Sequence, residues 1–187
     1  MFTERKPYES GMVIGRFQMF HNGHKEVIET ALALCDRVVV YIGSSQESET
    51  EKNPFSYQLR KEMIEECFQL DVIAQRVIIR PLPDIGLGNN ESWGQYVLDT
   101  FKADMYGALP GLYVTGCEKE RASWFSDNMA PNMNELRISR NTNKVSGTHC
   151  RQLMINDDFV AWKKCVPFNL YKYYKKYRDI LVDWKED

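Results

Sequence analysis

No stretch of this 187-residue chain approaches the roughly 18 consecutive apolar residues that a bilayer span requires. The N-terminus also carries no long apolar segment of the secretory kind. A soluble, cytoplasmic protein without a membrane partner is therefore expected. Cysteine is sparse and odd in number, with Cys35, Cys67, Cys117, Cys150 and Cys165 and no Cys-x-x-Cys pair. That pattern argues against a disulfide scaffold and favours reduced thiols. Three histidines, His21, His24 and His149, form a poor zinc set without nearby cysteine ligands, so no metal residue is assigned. Excess charge is missing as well: 24 Lys and Arg face 26 Asp and Glu, a formal charge of -2. The global field attracts neither nucleic acid nor an anionic membrane, and any phosphate binding must come from local clusters. Two familiar signatures are absent, the Gly-x-x-x-x-Gly-Lys-Ser/Thr loop and a Gly-x-Gly-x-x-Gly after the first strand. P-loop and dinucleotide-dehydrogenase readings thereby lose their main warrants.

What the chain does contain is a regular alternation. The length fits one domain over residues 1–187, with residues 147–187 as its mainly helical C-terminal part. A strand is predicted near Gly11 to Gly15, a helix near Gly23 to Cys35, and a second strand over Arg37 to Gly43. The unbroken Val38-Val39-Val40-Tyr41-Ile42 run points to a parallel strand covered on both faces. After a polar loop from Gln46 to Asn53, Ser56 can cap a helix running to about Leu70. Strands near Gln75–Arg80, Gly111–Gly116 and Asn134–Ser139 follow, with helices near Glu91–Tyr106 and Lys119–Ser126. The pattern predicts a doubly wound, mostly parallel α/β sheet of Rossmann-like form with C-terminal helices. In the last segment, Leu170, Tyr173, Tyr174, Tyr177 and Leu181 share one helical face, suited first to packing and less to oligomerisation or nucleic acid.

The first strand delivers Gly15-Arg16-Phe17-Gln18-Met19-Phe20-His21-Asn22-Gly23-His24, a polar turn at a helix start. Free amides at a helix N-terminus attract anions, so His21 and His24 can face one phosphate chain. Gly23 allows close backbone approach between them, and Arg16 can supply a permanently charged fork. This turn resembles the His-x-Gly-His signature of nucleotidyltransferases. Lys52-Asn53-Pro54-Phe55, Pro83-Asp84-Ile85, Trp93 and Val145-Ser146-Gly147-Thr148-His149-Cys150-Arg151 follow in order. Over roughly residues 11 to 167 the chain resembles the nicotinamide mononucleotide adenylyltransferases of the archaeal and phage-like type. It departs from that pattern at Met19, where a proline is usual, and at Cys150, where an aliphatic residue is usual; both substitutes can pack as apolar side chains.

The resemblance implies that ATP and nicotinamide mononucleotide (NMN) join to give NAD and pyrophosphate. The attacking 5'-phosphate oxygen is already anionic, so orientation and charge stabilisation should carry catalysis. His21, His24, Arg16, Lys52 and Arg151 are the expected catalytic groups, with Lys52 on a loop that can close. Gly15, Phe17 and Gly23 of the turn, Gly43 and Ser44 at the end of the second strand, and Ser146-Gly147-Thr148 at a helix start are the expected ATP contacts. Trp93 is expected to stack on the nicotinamide, Asp84 to orient base or ribose, and Asn90 to read the carboxamide. Magnesium is expected with the ATP phosphates rather than in a protein cage. The extra pyrophosphohydrolase domain of related bifunctional enzymes has no room here, so transferase activity alone is expected. Adenylyl or cytidylyl transfer to another phosphate acceptor, or a non-catalytic nucleotide sensor, are the alternatives. A homo-oligomer is allowed, although no heptad seam specifies one.

Overall fold

The computed structural model describes residues 5–88, 90–116, 124–126, 128–139 and 145–183. Five strands form one sheet in the order β3-β2-β1-β4-β5, all parallel. They are β1 (Tyr8–Gly15), β2 (Cys35–Gly43), β3 (Val77–Leu82), β4 (Leu112–Thr115) and β5 (Asn134–Arg137). The chain steps outward from β1 through β2 to β3, then returns to lay β4 on the other side of β1. That reversal between β1 and β4 opens a crevice at the carboxyl ends of the strands, the usual ligand position in open parallel sheets.

Strict alternation explains why the strands read as continuous apolar runs. Val13, Val38, Val40, Ile42, Leu112 and Val114 enter one buried cluster, while Met12, Ile14, Val39, Tyr41 and Tyr113 enter another. Helices cover both faces, so neither set meets water. The first face is covered by α1 (Asn22–Leu34), α2 (Tyr57–Cys67) and the C-terminal helices. The second is covered by α4 (Glu91–Asp104), through Trp93, Val97, Leu98 and Phe101. The last turn of α1 is held from outside: Lys6 Nζ donates to the Leu32 carbonyl at 2.6 Å and Arg76 to the same oxygen at 3.2 Å. Cations at these carbonyls also favour the helix dipole.

The helix predicted to reach Leu70 stops at Cys67. Phe68 leaves the helical region at φ -128° and buries its ring, and a short α3 (Gln69–Ile73) follows with Leu70 and Ile73 exposed. Burial of Phe68 outweighs continuation of the helix. The fifth strand ends at Arg137, two residues before the predicted boundary. The helix predicted near Lys119–Ser126 falls mostly outside the described residues, as does Cys117.

The C-terminal part comprises α5 (Gly147–Ile155), α6 (Phe159–Cys165), a 3-10 turn over Phe168–Tyr173 and α7 (Tyr174–Asp183). The aromatic face packs inward: Leu170, Tyr177 and Leu181 are buried, and Tyr177 meets Phe55 edge-on at 6.1 Å. Asn169 donates to the Glu66 carbonyl and Tyr173 to the Glu66 carboxylate, tying the segment to α2. No helix among the described residues is long and apolar enough to cross a membrane.

Candidate active site

The turn after β1 is built by close packing. Phe17 takes a left-handed backbone, φ 54°, with its ring buried against Gly15, where any Cβ would meet the ring at 2.9 Å. A bulky residue in that conformation costs on the order of 1 kcal/mol, and such strain gathers at functional turns. His21 occupies the cap position of α1, its carbonyl accepting from His24 N at 2.9 Å and Lys25 N at 3.1 Å. The two imidazoles stack with centroids 3.7 Å apart and planes 21° apart. Phe17 abuts His24 edge-on at 4.8 Å, so the pair is held by rings from its own turn.

Residues from the far end of the chain complete this wall. The N-terminus of α5 presses on the turn so closely that a Cβ at Gly147 would meet the Gln18 carbonyl oxygen at 2.2 Å. Arg151, one turn into α5, donates to that same oxygen. Gln18 is buried and pairs its side-chain amide with both main-chain groups of Phe55, at 2.8 and 2.9 Å. Ser146 caps α5 by accepting from His149 N at 3.1 Å. Burial first, and the nearby Arg16 second, hold the Arg151 guanidinium below its usual range. Two like charges brought together in partial burial make a site that favours an anion.

The resulting cleft, about 660 Å³, lies at the carboxyl ends of β1 and β4. Among the expected site residues it is lined by Gly15, Arg16, Phe17, His21, Gly23, His24, Lys52, Ser146, Gly147, Thr148 and Arg151. Its volume falls within the range of small-ligand sites. Glu26 and Glu51 also line it, offsetting part of the positive charge.

Gly43, Ser44, Asp84, Asn90 and Trp93 do not line that cleft. Ser44, at φ 47°, donates from Oγ to Asp84 Oδ2 at 2.6 Å. Asn90 caps α4, accepting from Ser92 N and Trp93 N and donating to the Leu87 carbonyl. Trp93 is 8% exposed, between Tyr96 and an edge-on Trp124 at 5.9 Å. Its indole N–H is buried without a hydrogen-bond partner among the described residues.

Sequence reading missed Gln18, Gln46 and Arg60. Gln46 pairs with both main-chain groups of Asp84, at 3.0 and 3.3 Å. Arg60 is fully buried on α2 beside Leu59, Met63 and Ile64. A cation on the apolar stripe of an amphipathic helix was the available signal, since arginine is almost never fully buried without partners.

A parallel sheet with a cationic cleft at its switch point, walled by a His-x-Gly-His turn and a capped helix start, defines a nucleotide-handling α/β protein. The family model described as cytidylyltransferase-like matches residues 12–109. The nicotinamide-nucleotide adenylyltransferase of Saccharolobus solfataricus is 34% identical over 165 residues, 87% of this chain and 88% of its own. That of Thermococcus sibiricus is 30% identical over 172 residues, covering 91% and 85%. The chain belongs to the archaeal-type nicotinamide-nucleotide adenylyltransferases within the cytidylyltransferase-like nucleotidyltransferases. A crystal structure of a bifunctional NMN adenylyltransferase/ADP ribose pyrophosphatase from Francisella tularensis superposes with a TM-score of 0.69 at 26% identity. That match covers 95% of this chain and 52% of the Francisella chain.

Proposed function

We propose that this protein joins ATP and nicotinamide mononucleotide to give NAD and pyrophosphate. The observation that carries the reading is the single cleft in which Arg16, His21 and His24 meet Ser146, Thr148 and Arg151, from segments over 120 positions apart. The 5'-phosphate oxygen of the mononucleotide attacks the α-phosphorus in line. One P–O bond forms, the bond to the β-phosphate oxygen breaks, and pyrophosphate leaves with that electron pair. The nucleophile is already an anion, so the protein's task is to orient two phosphate groups and offset developing charge.

His21 and His24 are assigned to the α-phosphate as hydrogen-bond donors, and Arg16 and Arg151 to the phosphate oxygens as charged forks. The amides at the start of α5 can take the departing pyrophosphate. Lys52, exposed at the rim, adds charge from the polar loop. Trp93, Asp84 and Asn90 are assigned to the mononucleotide. The buried indole N–H of Trp93 supports that role because it is a donor a carboxamide oxygen can satisfy. Among the described residues no three His, Cys, Asp or Glu side chains gather to hold a metal ion. Magnesium enters this reading only as the companion of the ATP phosphates, and no step is routed through it.

The test follows NAD and pyrophosphate together from ATP and NMN, with the His24→Ala protein as control. Deamidated NMN and flavin mononucleotide at matched concentration rank the acceptors. Stoichiometric NAD and pyrophosphate from wild type, much reduced in the control, supports the reading. A folded wild-type protein that makes neither product sinks it.

A further inference from the structure

Arg60 lies outside every role assigned above, yet it is among the most deeply buried side chains in the molecule. Its guanidinium donates to five main-chain carbonyls: Ser56 at 3.2 Å, Arg16 at 2.9 Å, Gly43 at 2.8 Å, Ser44 at 3.1 Å and Glu47 at 3.4 Å. Burying a cation is expensive, and a well-packed apolar residue often serves stability as well or better. The acceptors indicate what the charge achieves. Arg16 begins the phosphate turn, Gly43 ends β2 and Ser44 follows it, and Glu47 lies in the loop that leads to Lys52. Carbonyl oxygens at the ends of β1 and β2 would repel a triphosphate if they faced the cleft; Arg60 draws them toward itself.

A second link extends from the same point. Ser44 bonds the Asp84 carboxylate, and Gln46 pairs with the Asp84 main chain, so the loop after β3 is tied to the end of β2. We propose that Arg60 is a positioning residue that sets the spacing between the phosphate turn and the Ser44–Asp84 loop pair, while touching neither substrate. The proposal rests on the transferase reading. In-line transfer depends on that spacing, because a misplacement of about 1 Å can cost 10²-fold in rate. Lysine keeps the charge but carries three donors on a flexible stem in place of a planar fork with five, so it cannot hold the same carbonyls.

The experiment compares wild type, Arg60→Lys, Gln46→Ala and the double variant. It measures kcat, both KM values, thermal midpoint, and calorimetric affinity for ATP and for NMN separately. Arg60→Lys is expected to lose at least about 30-fold in kcat while each single-substrate affinity stays within about threefold. Gln46→Ala, an exposed change, is expected to raise the KM for NMN about five-fold. The double variant should lose less than the product of the two effects, because both act on one spacing. Arg60→Lys with wild-type kcat overturns the proposal, as does a loss of ATP affinity matching its loss of kcat. Should Arg60→Lys fail to fold, Gln46→Ala decides: an unchanged KM for NMN overturns the proposal and a raised one supports it. Wild type run in parallel separates the two claims. Active wild type with indifferent variants removes only the role of Arg60, whereas inactive wild type removes the transferase reading and this proposal with it.

Discussion

The cationic cleft and the loop beyond β3 draw on similar polar residues, but they commit them differently. In the cleft, Arg16 and Lys52 stand exposed and the start of α5 opens toward the same space. Beyond β3, the polar groups are engaged with one another: Asp84 with Ser44 and Gln46, and Asn90 with the first amides of α4. Trp93 lies in an aromatic cluster at the same end. On the proposed reading, the first region is arranged in advance for an anion, which lowers the reorganisation needed to stabilise a transferring phosphoryl group. On the same reading, the second receives the mononucleotide by exchanging the contacts of Asp84 and Asn90 for new ones, while the Trp93 N–H has no partner to give up among the described residues. Substitutions in the first should therefore strike the rate, and those in the second the KM for the acceptor.

The largest effect that sharpens this contrast is expected from His24→Ala. If His24 donates to the reacting phosphate as proposed, its removal should lower kcat by about 10²- to 10³-fold. Circular dichroism and the KM for NMN should stay near wild type in the same preparation. Arg151→Ala should fall in the same range, with a larger loss of stability because Arg151 also holds the Gln18 carbonyl. A pair of glycines comes next. At Gly147 a Cβ meets the Gln18 oxygen at 2.2 Å, and at Gly94 one meets the Trp124 oxygen at 1.7 Å. Both are backbone obstacles, so each alanine variant should lose about 1–3 kcal/mol in urea unfolding. Only Gly147→Ala should also lower kcat; equal kcat losses from both would break the comparison.

A smaller effect is expected from Trp93→Phe, which keeps a ring but removes the indole N–H. The KM for NMN should rise up to about tenfold, equivalent to about 1.4 kcal/mol, with the KM for ATP unmoved. A parallel rise for ATP would place Trp93 on the wrong substrate. The mildest effect concerns pH. Burial pushes the Cys35 thiol up to about 11 and the Cys67 and Cys150 thiols up to about 12. All three pack with the cluster on the α1 face of the sheet. Because the folded state holds these protons more tightly than the unfolded chain, their contribution is complete below the ordinary thiol range. It fades as pH rises from about 8.5 toward 11–12. Iodoacetamide at pH 8 should leave these cysteines unmodified in the native protein and modify them in urea, read by peptide mass.

Much of this architecture was legible because it depends on local order along the chain. The β-branched run of β2 marks a strand covered on both sides, and Ser56 and Ser146 mark helix starts that both form with side-chain caps. The break at Phe68 was not legible, since it depends on where that ring finds a cavity. For Arg60, its place on the apolar stripe of α2 signalled burial, but its partners were not legible, because they lie after β1 and at and beyond the end of β2.

Spacing along the chain alone determined the alternating strands and helices, the His21–His24 turn and the capped segment before Arg151, because periodicity, capping and turn chemistry act over a few residues. Tertiary structure alone decided that Gly147 would rest on Gln18, that Arg60 would gather the ends of β1 and β2, and that Asp84 would turn to Ser44. Those arrangements pair groups 17 to 129 positions apart in the chain. Contacts at that range depend on which faces the packed sheet and helices bring together, a property of the folded shape that no local pattern encodes.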